Sequence, residues 1–398
     1  MPRASPTPAS SSQSRAYAES RHLGLAPPRP KRALIVSSFV LPHAGGVEQF
    51  VDIATKLLRE RGWEARVLAC RPQNGPAAAD VTLPTRYLLR PGWPVPVGGW
   101  RALWEETGRA DVVVVNGARN LLPNISAFAA RLRGRKVVFV LHGSGAPFTT
   151  SSLLYHRLLG SIFERLVVRS ALRRSVPISL SKAGVSGARR RYGVEAAHVP
   201  YPLRELPPAR PRPLEPEEPL RIVWVGRLYR EKNPLQAVEV VERVRLQRDA
   251  TLHVYGTGIL QDELERLARR RPWLVVGGPL SWSEAQDAQD SGHVCLSTSL
   301  RDATQMAILE PLTRGIPVVS TSVGDAPAHY ARRTLYAFCV EPSDSRAAAA
   351  AILRLAASYG RYREDFAANA EVLRARHAAG PDRLSALLET AAFGDHGE

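Results

Sequence analysis

The sequence predicts an α/β protein made of two tandem domains, each a doubly wound parallel sheet. Three observations predict it. Near-continuous apolar runs alternate with helix-period segments, the pattern stops at a Pro-rich charged stretch, and beyond that stretch it restarts. Strands buried on both faces read as unbroken apolar runs. Strands alternating with helices require crossover connections and hence a parallel sheet. The chain has 398 residues, enough for about two domains of ~150–200 residues each.

In chain order, "RALIVSSFV" (32–40) is the first strand. In the segment after it, Val47, Phe50, Val51, Ala54, Leu57 and Leu58 recur at helical spacing, and Gly62 ends that helix. "ARVLAC" (65–70), "DVVVVNG" (111–117), "KVVFVLHG" (136–143) and "SVPISLS" (175–181) continue the strand signal. "RELPPARPRPLEPEEPL" (204–220) reads as a linker. Strands resume at "RIVWVGRL" (221–228), "TLHVYGTG" (251–258), "WLVVGG" (273–278), "HVCLSTS" (293–299) and "PVVSTSVG" (317–324). After 342 the chain is Ala-rich and helical to about 391. These signals divide it into a disordered N-terminal segment (1–31), a first domain (32–205), a linker (206–220), a second domain (221–365) and C-terminal helices (366–398) expected to cross back to the first domain.

Composition narrows the function. Hydrophobic residues are 44% of the chain, so each domain can bury a core. The net charge is +17, carried almost wholly by arginine, since lysine occurs only at 31, 56, 136, 182 and 232. That balance suits an acidic small molecule, an anionic membrane or nucleic acid. No zinc-finger spacing, aromatic RNA-binding pattern or basic tail accompanies it, which argues against nucleic acid. Cys70, Cys295 and Cys339 lie in or at the end of apolar runs, without metal or disulfide spacing, and read as core residues of a reduced, cytoplasmic protein. The start, "MPRASPTPASSSQSRAY", has no apolar segment of a signal peptide, and no run of ~18 apolar residues suggests a membrane span.

In such sheets ligands bind beyond the carboxyl ends of the strands, so the strand-to-helix loops are the informative places. Gly45-Gly46 follows the first strand and can bring backbone close to a ligand, although a Gly pair there is often only a turn. Arg227 follows the first strand of the second domain, and Lys232 lies five residues on. Asn233 is placed to cap the next helix and Pro234 to open it. A planar fork and a point charge beside a helix start suit a diphosphate. Gly256 and Gly258 form a weaker phosphate-loop signal. In "LRDATQMAILEPLTRGIPVVST" (300–321), Asp302 precedes a helix predicted over 304–314, and Glu310 sits on it among apolar neighbours. At about 1.5 Å per residue the eight-residue separation corresponds to ~12 Å, the length of a sugar–diphosphate–ribose. One acid suits sugar hydroxyls and the other ribose hydroxyls, with the diphosphate over the helix N-terminus between them.

In order and spacing, "PHAGGVEQF", "VGRLYREKNP", "VYGTG" and the 300–321 segment resemble glycosyltransferase family 4, over roughly residues 33 to 390. The resemblance implies a GT-B fold, with an acceptor-binding first domain and a donor-binding second domain. It implies retaining transfer from a nucleotide-diphosphate sugar (a UDP-hexose or UDP-N-acetylhexosamine) to an acceptor hydroxyl, without metal or other cofactor. By the same resemblance Arg227 and Lys232 hold the diphosphate, Glu310 the ribose and Asp302 the donor sugar. Backbone N–H groups of Thr304, Gln305 and Met306 approach sugar and phosphate, Gly45 and Gly46 form the glycine loop, and His142 lies near the reacting sugar. Asp302 stands where the family has Glu, and Ala303-Thr304-Gln305 replaces its Gly-Phe-Gly-like turn. "VPYPL" (199–203) replaces the "NG" that often ends the first domain. A nucleotide-sugar epimerase or a phosphorylase shares the architecture, but a phosphorylase needs a pyridoxal lysine that Lys232 is poorly placed to be. A non-catalytic basic nucleic-acid-binding protein is the alternative from another class. The acceptor is either a soluble small molecule or lipid-linked. For the latter, the arginine-studded helix at 153–174 offers peripheral contact with the inner membrane face, although such helices more often pack on the sheet.

Overall fold

The computed structural model describes residues 29–41, 45–73, 75–88, 93–143, 154–204 and 212–394. The first sheet begins with β1 (Lys31–Ser37), β2 (Trp63–Cys70) and β3 (Val81–Leu83). A two-stranded antiparallel hairpin, β4 (Thr85–Leu88) and β5 (Trp93–Pro96), follows. The sheet resumes with β6 (Val112–Asn116), β7 (Lys136–Leu141), β8 (Val176–Ser179) and β9 (Ala197–His198). Its spatial order is β3-β2-β1-β6-β7-β8-β9, and every pair is parallel. The second sheet has β10 (Leu220–Val225), β11 (Ala250–Tyr255), β12 (Leu274–Val276), β13 (Val294–Ser297), β14 (Val318–Thr321) and β15 (Cys339–Val340). Its order is β12-β11-β10-β13-β14-β15, again all parallel.

The unbroken apolar runs are explained by burial on both faces. Along β1, Leu34 and Val36 enter one core of the first domain, while Ala33 and Ile35 enter the other. Burying an aliphatic side chain of this size contributes about 1.5–3 kcal/mol, so a one-residue slip of register would be costly. The helix Gly46–Glu60 seals one face with Phe50, Val51, Ala54, Leu57 and Leu58. The second domain has a single core that includes Ile222, Trp224, Val254, Leu296, Ile308 and Val318.

The long helix Tyr359–Phe393 joins both cores. Its first half buries Phe366 and Leu373 in the second domain, and its second half buries Leu384 and Leu388 in the first. A Cβ on Gly380 would come within 2.5 Å of the Pro200 carbonyl oxygen, so this helix crosses the interdomain connection at close range.

The structure departs from the sequence expectation in several places. The short strands β3, β4, β5, β9 and β15 are additional to the expected ones, because two to four residues carry too little periodicity. The helix expected over 304–314 starts only at Met306. Asp302 to Gln305 are therefore loop, and the helical rise does not apply to the full Asp302–Glu310 separation. Cys70 and Cys295 are buried as expected, but Cys339 is only partly so. The expected disordered segment (1–31) falls mostly outside the described residues, as does 205–211 of the linker. Among the described residues, no helix is long and apolar enough to cross a membrane.

Candidate active site

Strand order decides which loops meet. In the first sheet the chain turns back between β1 and β6, and in the second between β10 and β13. The loops after those strands diverge in sequence but adjoin in space, which leaves a crevice at the switch point.

In the second domain the β10 loop carries Arg227 and Lys232, and the β13 loop carries Asp302. Leu300 N–H donates to the Glu231 carbonyl at 2.8 Å, and the Thr298 hydroxyl donates to the Asn233 carbonyl at 2.8 Å. These bonds stitch the two loops together and bring Lys232 Nζ onto Asp302 Oδ2 as an ion pair. Asp302 Oδ1 also accepts from the Ala303 N–H at 2.9 Å, which fixes the carboxylate plane. Arg227 is exposed, with its guanidinium 5.8 Å from the Tyr229 ring centroid. Asn233 occupies the cap position before Pro234, but in a left-handed conformation (φ 51°). Its amide donates to Gln236 at 2.8 Å rather than capping the helix backbone.

The helix Met306–Arg314 points its N-terminus at the first domain. A Cβ on Gly46 would lie 3.5 Å from Met306 Cγ, so the glycine loop faces the start of this helix directly. Ile308 N–H already donates to the Gln305 carbonyl at 3.0 Å, but the Met306 and Ala307 N–H groups have no acceptor within the helix, and the local dipole favours an anion. The Thr304 hydroxyl donates across the cleft to the Leu180 carbonyl at 3.3 Å. The Gln305 side chain is buried, accepting from Ser297 at 2.9 Å and donating to the Val323 carbonyl at 3.2 Å. Only the backbone of Gln305 is left to face the cleft.

Glu310, one turn into that helix, is also buried. Its Oε1 accepts from the Trp282 indole N–H and its Oε2 from the Gln286 amide, both at 3.2 Å. Burial raises the carboxyl above its usual range, while those two donors and the Arg204 and Arg314 charges pull it back. Arg204, which leaves the first domain, lays its guanidinium 5.3 Å from the Trp282 ring and pairs with Asp52 at 2.5 Å.

In the first domain, His142 follows β7, one strand beyond the switch point. Its Nε2 is 2.5 Å from Asn116 Oδ1, and its ring meets Phe50 edge-on at 5.4 Å. Asn116 Nδ2 donates to Ser37 and to the Val47 carbonyl, both at 3.2 Å, so its Oδ1 faces His142. That network assigns the proton to Nε2 and leaves Nδ1 as the lone-pair nitrogen. Burial pushes His142 down to about 4, so the ring is neutral at pH 7. At Gly143 (φ +104°) a Cβ would sit 2.2 Å from Ala303 Cβ. Only glycine lets this loop touch the one that carries Asp302.

The structure thus gathers Gly45, Gly46, His142, Arg227, Lys232, Asp302, Thr304, Met306 and Glu310 around one interdomain cleft. Gly256 has a structural account of its own: at φ +143° its Cβ would come within 1.8 Å of the Gly226 carbonyl oxygen. It lets the β11 loop pack on the β10 loop. The sequence reading missed Asn116, Tyr201, Trp282, Gln286 and Asp325. Asn116 ends an all-valine strand and was legible as a polar strand end. Tyr201, standing in "VPYPL", donates from its hydroxyl to the Gly46 carbonyl at 2.8 Å. Asp325 accepts from the Lys182 and Ala183 N–H groups at 2.8 Å, capping the helix Lys182–Tyr192 of the opposite domain. Nothing local in the sequence announces a cap that acts across a cleft.

Residues 44–202 match the family model described as Glycosyltransferase Family 4, and residues 219–358 match that of Glycosyl transferases group 1. Among curated relatives, one chain of the phosphatidylinositol N-acetylglucosaminyltransferase of Arabidopsis thaliana is 27% identical over 323 residues, 76% of this chain and 70% of that protein. Its Homo sapiens namesake is 23% identical over 316 residues, 75% of this chain and 63% of its own length. Solved structures with the same fold include a glycosyltransferase from Rickettsia africae (TM-score 0.67, 14% identity, covering 92% of this chain and 100% of that one). Another is Anabaena HepE in complex with UDP-glucose (TM-score 0.65, 14% identity, 90% and 99%). Two sequence matches that divide the chain where its two sheets divide, on a fold shared with these enzymes, place this chain in glycosyltransferase family 4, with the GT-B architecture.

Proposed function

We propose that this glycosyltransferase moves a hexose or N-acetylhexosamine from a UDP-sugar to an acceptor hydroxyl, with retention at the anomeric carbon and without a metal ion. The observation that carries the reading is the Lys232–Asp302 pair opposite His142, with Glu310 held separately down the helix. A cation beside an acid suits the junction where a phosphate meets a sugar. An acid with neutral donors on each oxygen keeps lone pairs for two ribose hydroxyls. The relatives' names, which specify N-acetylglucosaminyl transfer, and the UDP-glucose complex of HepE point to the donor class.

In the reaction, the bond between the anomeric carbon and the β-phosphate oxygen breaks. The acceptor oxygen bonds to the same face of that carbon, and its proton passes to the departing phosphate. Lys232, Arg227 and the N-terminus of Met306–Arg314 stabilise the charge that develops on the diphosphate. These groups can carry that charge without a metal. Neutral His142 donates from one nitrogen to Asn116 and is free to accept from a sugar hydroxyl at the other. The second domain holds the donor and the first the acceptor, soluble or lipid-linked.

The test is a thermal-shift panel of UDP-, GDP-, ADP- and dTDP-sugars with the free diphosphates, followed by NMR of the product's anomeric configuration. A ligand that binds only the folded state raises Tm by mass action. We expect a selective shift with UDP-sugars, a product with the donor's anomeric configuration, and turnover unchanged by EDTA. Absence of any shift from a folded sample overturns the donor assignment, and an inverted product overturns retention.

A further inference from the structure

The segment after β7 and its loop is a helix along its whole length: Leu154–Phe163, a π-helical turn Glu164–Val168, then Arg169–Arg173. One side packs on the sheet through Val168, Ala171 and Leu172. The other side carries, beside exposed arginines, an apolar stripe that a solvated helix face normally lacks. Leu158, Ile162 and Leu166 recur every four residues and are 63%, 46% and 65% exposed. Among the described residues, nothing covers this stripe. Contiguous exposed apolar surface marks an interaction site.

Charge identifies what the stripe fits. Between 154 and 195, eight arginines and one lysine stand against two glutamates, a surplus of seven in a chain of net charge +17. Both glutamates are already engaged, Glu164 with Arg191 and Arg119, and Glu195 with Arg189. Arg165, Arg173, Arg174 and Arg190 are exposed and, among the described residues, make no ion pair. Arg169 and Arg173 reach the end of the next helix, their guanidinium nitrogens 3.5 and 4.0 Å from where a Gly193 Cβ would stand. An apolar stripe bordered by arginines matches a surface whose interior is hydrocarbon and whose face is anionic. A second copy of this chain would bring the same surplus of positive charge against itself.

We propose that the outer face of residues 158–174 docks on an anionic lipid bilayer, with Leu158, Ile162 and Leu166 entering the acyl boundary and the arginines lying among the headgroups. Topology adds the functional consequence. The helix connects two parallel strands, so it runs from the carboxyl edge of the sheet back toward the amino edge. Its apolar half therefore lies at the cleft end, the edge that carries Gly46 and His142. Docking brings the cleft mouth to the bilayer surface, where a lipid-linked acceptor presents its hydroxyl. The acceptor statement rests on the transferase reading above. The docking statement does not.

The experiment is flotation of the full chain with vesicles of phosphatidylcholine alone and with about 30% phosphatidylglycerol added. We expect binding only to the anionic vesicles, weakened by salt. Replacing the stripe (Leu158→Gln, Ile162→Gln, Leu166→Gln) should lower that binding by about tenfold or more. Arg165→Glu with Arg173→Glu should lower it by at least about 25-fold, at roughly fivefold per charge. Both variants should keep the Tm and the UDP-sugar shift of the parent, which separates loss of docking from loss of the donor site. No flotation with anionic vesicles, equal flotation with neutral ones, or unchanged binding of the stripe variant overturns the proposal. So does a concentration-dependent dimer that the stripe variant abolishes, which would assign the face to a second copy.

Discussion

Asp302 and Glu310 come from one motif but live in opposite environments. Asp302 lies in a loop, half-buried, against the Lys232 ammonium. Glu310 lies on a helix, buried, and among the described residues its hydrogen-bond donors are uncharged, the Trp282 indole and the Gln286 amide, with the Arg204 and Arg314 charges acting from further off. A charged pair can exchange partners: when a diphosphate arrives, Lys232 can turn to it while Asp302 turns to sugar hydroxyls. A carboxylate locked by neutral donors is pre-positioned and does not move. On the proposed function, that difference gives charge handling to the Asp302 end and recognition to the Glu310 end.

The strongest way to break this contrast is Lys232→Ala. On the proposed function it removes the cation beside the bond that cleaves, so by comparison with lost oxyanion donors kcat should fall by about 10²–10³. Steady-state kinetics with a saturating donor measures it. A fall confined to KM would show that Lys232 binds but does not stabilise the leaving group. Glu310→Gln tests the other end. It keeps the shape, loses the charge and turns one acceptor into a donor against Gln286 or Trp282. Donor KM should rise by about 10- to 100-fold, as expected when a hydrogen bond to a charged group is replaced by a mismatch. Its kcat should move far less than that of the lysine variant.

Trp282→Phe sharpens the recognition end. Losing the indole donor costs about 1 kcal/mol, roughly a fivefold rise in donor KM, with the ring's stacking under Arg204 retained. Titration calorimetry with UDP measures this without turnover. An effect on kcat instead of binding would dissolve the division of labour between the two acids.

The smallest effect concerns pH and His142, whose loop touches the one that carries Asp302. The His142 pKa in the folded protein is about 4, below its ordinary value of about 6.5. A depressed histidine binds its proton more weakly when folded than when unfolded. The stability it confers is complete above about pH 6.5 and is lost as pH falls toward about 4. His253, also pushed down to about 4, and His329, to about 3, act in the same direction. Tm should therefore be flat from pH 7 to 8 and fall on acidification, and His142→Gln should shallow that fall without abolishing it. An unchanged slope in the variant would mean that the ring is solvated.

Much of this molecule was legible because the relevant signals are local. Short unbroken apolar runs rich in β-branched residues, such as that of β6, alternate with helix-period segments and so read as strands buried on both faces. Arg227, Lys232 and Asp302 fall between strand ends and helix starts, with Glu310 one turn into the helix after Asp302, and elementary α/β geometry makes those loops the ligand edge. The shorter strands escaped because two residues, as in β9 and β15, contain no period. The start of the Met306 helix escaped because buried Gln305, tied to Ser297 and Val323, holds the preceding turn out of helical geometry.

Local residue patterns were enough to specify two α/β domains, their order and the residue types offered to the cleft. Which of those residues meet depends on how the strands are ordered in space. Lys232 reaches Asp302 across seventy residues because β10 and β13 are neighbours at the switch point. Asp325 caps a helix of the other domain, and one C-terminal helix fills both cores. Such contacts depend on strand order and domain closure, which arise from the summed burial of the whole chain and leave no mark on the residues nearby.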